Sequence, residues 1–230
     1  MIAFDVKNTT MRKLYEAICP HYCLGCGELG SILCECCKNH NISGNSEDME
    51  VCLKCGMAVS GGGGCNRCDT PYDMGYAVGK WKGLIKRCIS EYKYKSVRAL
   101  KTPLAEMASD TLPCLAGNTV VVPVPTNTKH IRMRGLDHTR LLAKELARIR
   151  GWRCDGIIKR LKDNVQVGAD EATRRKQAIE TYALSGRIDE NAFYVVIDDV
   201  WTTGSTMSAV CRILREAGAK NIIAIVLARA

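Results

Sequence analysis

Apolar and polar positions along the chain follow two periods, one of strands and one of helices. Val195, Val196 and Ile197 form a β-branched run that predicts a buried strand, and the run stops at two adjacent carboxylates, Asp198 and Asp199. Beyond it Met207, Val210, Cys211 and Leu214 recur at helical spacing, and Gly218 supplies the stop. Val120, Val121 and Val122 predict another strand, ended by Pro123-Val124-Pro125. Asp137 then starts a helix with Leu142, Leu146 and Ile149 toward the core and Lys144, Arg148 and Arg150 outside. Residues 76–81 read as a strand, Leu84, Ile85, Cys88, Ile89 and Tyr92 as a helix face, Ile157 and Ile158 as the start of a short strand, and 221–227 as a last apolar strand. Strands alternating with helices predict an α/β fold with a parallel sheet and right-handed crossovers, whose ligands lie beyond the carboxyl ends of the strands.

The chain before residue 71 has a different pattern. Residues 1–18 predict a short helical segment, and 19–70 a cysteine-rich module ahead of the α/β domain at 71–230. Of 14 cysteines, ten lie between Cys19 and Cys68. Four pairs stand out, namely Cys23/Cys26, Cys34/Cys37, Cys52/Cys55 and Cys65/Cys68. Eight thiolates suit two closed, structural Cys₄ zinc sites, with no open position for catalysis. Chain order groups the first two pairs on one zinc and the last two on the other, and a cross-braced pairing is the alternative. Cys19, Cys36, His21 and His40 are left over as substitute ligands or bystanders. Gly25 and Gly56 are placed where a positive φ turns backbone N–H groups toward sulfur, and Gly61–Gly64 reads as a loose ribbon tip.

Chemistry concentrates after the 195–197 strand. Between Thr202 and Thr206 only Gly204 lacks a hydroxyl, and Thr203, Ser205 and Thr206 lead into a helix N-terminus, which suits a phosphate monoester. Asp198 and Asp199 suit ribose hydroxyls or a Mg²⁺-bound diphosphate. A Walker B reading of the acids needs a G-x-x-x-x-G-K-[ST] loop, and the nearest stretch, Gly75 to Trp81, lacks one residue between its glycines and has Trp81 where Ser or Thr belongs. The basic, hydroxyl-containing stretch from Thr126 to Gly135, including Arg134, reads as a loop able to clamp a diphosphate. Residues 159–177 are charged and poor in apolar positions, which suits either a lid over a bound anion or a solvated connection.

The formal net charge of +9 favours polyanionic partners. Lys80, Lys82, Lys86, Arg87, Lys93, Lys95, Arg98 and Lys101 surround Trp81, Tyr92 and Tyr94, a composition shared by single-strand nucleic-acid surfaces and by solvated helix faces of basic proteins. No apolar stretch reaches membrane-spanning length, so no transmembrane segment is expected, and the first sixteen residues lack the apolar core of a signal peptide, so the expected location is cytoplasmic.

The strand, acid pair and T-T-G-S-T loop resemble the motif by which type I phosphoribosyltransferases bind 5-phosphoribosyl 1-diphosphate (PRPP). With the four cysteine pairs, Tyr92-Lys93-Tyr94-Lys95, Val122-Pro123-Val124-Pro125, Arg134-Gly135, and Gln166 with Arg174, the chain resembles the ComF/GntX family from about Cys19 to its end. That resemblance implies a type I phosphoribosyltransferase-like domain behind a double zinc ribbon, two structural Zn²⁺ and Mg²⁺. It further implies Asp198 and Asp199 near the ribose, Thr202, Thr203, Gly204, Ser205 and Thr206 on the 5′-phosphate, and Arg134 and the loop from Thr126 near the diphosphate. Three functions follow from the resemblance: phosphoribosyl transfer with release of pyrophosphate, a DNA-uptake role with single-stranded DNA and a DNA-translocating motor protein as partners, and silent sensing of PRPP. The chain departs from the family pattern at Leu136, Asp137 and His138 and at Ala169 and Gln177. His138, at a helix start, reads as a surface or capping residue, or as a general base for an acceptor.

Overall fold

The computed structural model describes residues 21–42, 50–59, 65–95, 97–115, 117–161 and 181–230. The expected N-terminal helix, Cys19, Gly61–Gly64, Gln166, Ala169, Arg174, Gln177 and most of the 159–177 segment lie outside these residues. The elements run α1 (Glu35–Ile42), β1 (Met74–Lys80), α2 (Gly83–Tyr94), α3 (Lys101–Thr111), β2 (Thr119–Pro123), α4 (Thr128–Arg134), α5 (His138–Arg150), β3 (Arg153–Cys154), β4 (Ile158–Arg160), β5 (Tyr182–Leu184), β6 (Phe193–Trp201), α6 (Ser205–Glu216) and β7 (Asn221–Arg229). No helix among the described residues is long and apolar enough to cross a membrane.

The sheet is parallel, in the order β1-β7-β6-β2-β3, and β4 and β5 form a separate antiparallel pair. Strands buried on both faces read as continuous apolar runs, which is why 195–197 and 221–227 show no alternation. Successive residues nevertheless go to opposite sides. Val195, Ile197, Ile223 and Ile225 pack under α2, α3 and α5, whereas Val196, Ala224 and Val226 pack under α6 and the β4–β5 hairpin. The chain leaves β2 for one face and β6 for the other. The carboxyl ends of these neighbours therefore open a crevice at the point where the winding reverses, the place where open α/β sheets bind ligands.

The cysteine-rich segment is built into this body. Cys23 and Leu33 join the first core and Val51 and Leu53 the second. Val51 donates its N–H to the Gly75 carbonyl at 2.8 Å, and Glu50 bridges to Tyr76, which covers the outer edge of β1. Lys38 of α1, buried, pairs with Glu35 and with Glu106 of α3.

Two local expectations change. The stretch after Pro125 is mostly helix: Asn127 caps α4 by accepting from the Lys129 N–H, and Gly135 ends it with φ 73°. Arg132 and Arg134 lie in its last turn, where cations suit the dipole. In the first cysteine knuckle the left-handed residue is Gly27, φ 79°, rather than Gly25; the second follows the expectation with Gly56, φ 76°. Gly25 is needed for space, because a Cβ there would overlap the Cys37 side chain.

Candidate functional site

Each wall of the crevice follows from a short sequence feature. β6 carries Asp198 and Asp199 to its carboxyl end, and Thr202 to Gly204 turn the chain into α6. Gly204 is the N-cap, with φ 72°, and no side chain caps the helix. A Cβ at Gly204 would collide with the Trp201 ring, so this turn demands glycine for both conformation and space. Trp201, 5% exposed, rests edge-on against Tyr72 with ring centroids 6.2 Å apart. The first N–H groups of α6 therefore face a small, open concavity lined by Asp198, Thr202, Thr203, Ser205 and Thr206. Thr203 and Ser205 share a hydroxyl contact of 3.1 Å at its rim.

The two acids have different surroundings. Asp198 faces this concavity and accepts the Asp199 N–H at 2.8 Å. Burial and the neighbouring Asp199 charge push its carboxyl up to about 8, against the opposing pull of that N–H and of Lys93. Asp199 is held by Lys93 of α2, Nζ to Oδ2 2.7 Å, with the two side chains 13% and 16% exposed.

The β2 side supplies the second wall. Val124 donates to the Ile197 carbonyl at 3.0 Å, which holds the Pro123–Pro125 turn against β6. Thr126 donates to Asp137 Oδ1 at 3.0 Å, and the same oxygen caps α5 by accepting from the Arg140 N–H. Arg134 lies over the Tyr94 ring at 4.9 Å. His138 is neither exposed nor a cap. It is 3% exposed, and neither ring nitrogen has a hydrogen-bond partner among the described residues. Its ring meets Tyr92 edge-on at 4.8 Å, and the Tyr92 hydroxyl donates to the His138 carbonyl at 2.9 Å. Burial, then the Arg134 charge, lowers its pKa, so the imidazole is neutral at physiological pH.

Two residues at the site were missed by reading along the chain. Lys93 was counted among surface cations, although Lys80, Lys82, Lys86, Arg87 and Lys95 around it are indeed exposed. Arg160 donates to the Tyr182 hydroxyl at 2.7 Å, and Thr206 is near enough to that phenol to favour its ionisation, so the β4–β5 pair brings a guanidinium beside the phosphate-type loop. The Tyr-Lys-Tyr-Lys spacing was the available signal for Lys93, since it sets buried Tyr92 and exposed Tyr94 on either side of it.

Away from the crevice, the eight cysteines form two groups in chain order, Cys23/Cys26/Cys34/Cys37 and Cys52/Cys55/Cys65/Cys68, with the sulfurs of each group within 4.8 Å of one another. Sγ separations of 3.6 Å for Cys23–Cys34, 3.7 Å for Cys26–Cys34 and 3.7 Å for Cys55–Cys65 match the edge of a tetrahedron with Zn–S bonds of about 2.3 Å. Backbone N–H groups of Gly25 and Cys34 point to Cys23 Sγ at 3.4 Å, the polarity a thiolate needs. These groups could hold zinc. Cys36, His21 and His40 are exposed and outside both groups.

Residues 133–230 match the phosphoribosyl transferase domain family. The chain is 31% identical over 119 residues to competence protein F of Haemophilus influenzae, a match covering 48% of this chain and 50% of that protein. It is 37% identical over 76 residues to the uracil phosphoribosyltransferase of Thermosipho africanus, covering 32% of this chain and 36% of that protein. The chain thus spans half the length or less of these relatives. By class, the parallel sheet and its crevice are a phosphoribosyl transferase fold. Within that class, the chain is similar to competence protein F over about half its length, and its two Cys₄ groups have the double zinc ribbon form that the ComF/GntX resemblance implies.

Proposed function

We propose that the crevice binds PRPP. The carrying observation is the uncapped N-terminus of α6, entered through Gly204 and opening on a polar concavity that also contains Asp198. Thr202, Thr203, Ser205 and Thr206, with the free N–H groups, take the 5′-phosphate; Asp198 and Asp199 take the ribose hydroxyls. The Thr126 and Arg134 side takes the diphosphate. The acid pair also fits Mg²⁺, which would screen diphosphate charge; Asp198 and Asp199 would hold it. The reaction supported by this arrangement is phosphoribosyl transfer with loss of pyrophosphate, in which the chain's own part is to orient the sugar and stabilise the leaving group. By analogy with the named relative, the process served is competence, and the ComF/GntX resemblance extends this to DNA uptake.

Calorimetric titration of the zinc-loaded chain with PRPP and Mg²⁺ tests this reading. The wild type binds, and the double Asp198→Asn, Asp199→Asn variant loses at least tenfold in affinity while keeping its zinc. Equal affinity in both proteins would remove the acids from the site. Binding with no pyrophosphate released for any acceptor would leave a PRPP sensor.

A second reading rests on Lys80, Lys82, Lys86 and Arg87, all exposed, with Lys86 over Trp81 at 5.9 Å. This face suits single-stranded DNA, or an acidic patch on a motor protein, and its DNA affinity would fall steeply with salt.

A further inference from the structure

Asp199 is already partnered. Its Oδ2 is held by Lys93 at 2.7 Å, in a pair whose two members are mostly buried, on the face of β6 turned away from the α6 concavity. Next to this pair lies an unusual gap in hydrogen bonding. His138, 3% exposed, leaves both ring nitrogens without partners among the described residues. The charges acting on that imidazole are Arg134, Asp199, Asp137 and Lys93. A buried polar group left without a partner is costly and rare, and its presence calls for a functional reason. Two cations and a neutral imidazole able to present an N–H thus stand together beside Asp199 and Asp137, of which Asp137 is already engaged by Thr126 and the Arg140 N–H. That donor set suits a multiply charged anion.

We propose that Lys93 is a specificity residue for the diphosphate: it rests on Asp199 in the free protein and turns to the diphosphate of PRPP when the sugar hydroxyls take over Asp199, with His138 adding one N–H to the same anion. This rests on the PRPP reading above and deepens it. The pair supports Lys93 in two ways. It keeps the ammonium desolvated and poised at the site, and it keeps Asp199 from standing alone as a buried charge. Lys93 belongs to α2, whose other end carries the exposed cations beside the first Cys₄ group, where Arg87 donates to the Leu24 carbonyl at 2.9 Å. A residue from outside the matched 133–230 segment thereby completes the ligand site.

The experiment compares two ligands that share the ribose and 5′-phosphate and differ in the diphosphate. Zinc-loaded wild type, Lys93→Met and Lys93→Arg are titrated with ribose 5-phosphate and with PRPP under the same Mg²⁺. Wild type prefers PRPP. In Lys93→Met the ratio of the two affinities falls about tenfold or more, the value of one charge-assisted hydrogen bond, and Lys93→Arg restores most of it. An unchanged ratio in Lys93→Met overturns the proposal, including the case in which both affinities fall together, which marks Lys93 as a purely structural partner of Asp199. If wild type binds neither ligand, the PRPP reading itself fails and this one with it. If Lys93→Met does not fold, the ratio is read from Lys93→Gln, and retention of the wild-type ratio there is equally fatal.

Discussion

At the residue scale, the acid pair shows how adjacent identical side chains are given different work. Asp198 keeps its proton to about 8, because burial and then Asp199 disfavour its charge. An unfolded aspartate loses its proton near ~4. Between those values the folded chain binds a proton that the unfolded chain does not, so this group lowers stability progressively as pH rises. Asp198→Asn, neutral throughout, escapes that loss. Its melting temperature should equal that of the wild type near pH 4, exceed it increasingly toward pH 8, and hold a constant lead above. A lead independent of pH, read by differential scanning fluorimetry, would mean that Asp198 is ionised well below neutrality. Gly204 yields a second residue-level expectation. Gly204→Ala forces a side chain both into the left-handed region and into Trp201, at a combined cost of roughly 2 kcal/mol or more, and ribose 5-phosphate affinity should fall with stability. The acid pair and the hydroxyl loop were legible in the sequence because they are contiguous. Lys93 and Arg160 were not, because each reaches the site through a tertiary contact: Lys93 crosses to Asp199 from a helix ending at Tyr94.

At the element scale, helices and strands with an apolar run announced themselves, and short polar ones did not. β6, β7, α5 and α6 lie where the apolar pattern put them. α4 was read as a loop because it has no buried residue and its signals are its ends, the Asn127 cap and the left-handed Gly135. β3 has two residues and owes its pairing to β2, which no local pattern encodes. The segment between the second cysteine group and the phosphate-type loop is also a contact of elements. The Tyr72 ring shares a core with Leu53 of the second cysteine knuckle and abuts Trp201, which in turn closes against Gly204. From the other side Arg229, at the end of β7, donates to the carbonyls of Leu53 at 2.9 Å and Lys54 at 3.3 Å, inside the Cys52–Cys55 knuckle. Replacing Arg229 by Met leaves two carbonyls without this charged donor. Zinc release to a chromophoric chelator should then quicken for one equivalent of metal and stay unchanged for the other. Equal release of both would show that the guanidinium does not support the knuckle.

At the scale of the whole molecule, the shift in composition near residue 70 reads as a boundary between modules, yet the packing continues across it. Cys23 and Leu33 lie in the core above one face of the sheet, and Val51 and Leu53 in the core below the other. The sequence could not show this, because a cysteine spacing reports its metal and not the surface on which the knuckles rest. The consequence for stability is specific. If the Cys₄ groups were independent beads on a tether, removing zinc would melt them alone and leave the transition of the sheet in place. Here a metal in the Cys₄ groups would hold residues that fill both cores and cover the edge of β1, which would couple its binding free energy to the folding of the sheet. Stripping zinc with a strong chelator should therefore lower the temperature of the main unfolding transition, monitored by circular dichroism, and should lower ribose 5-phosphate affinity in the same step. Re-adding zinc should restore both. A main transition unmoved by chelation would mean that the shared core contributes little, and that the phosphoribosyl transferase domain stands without its cysteine-rich neighbour.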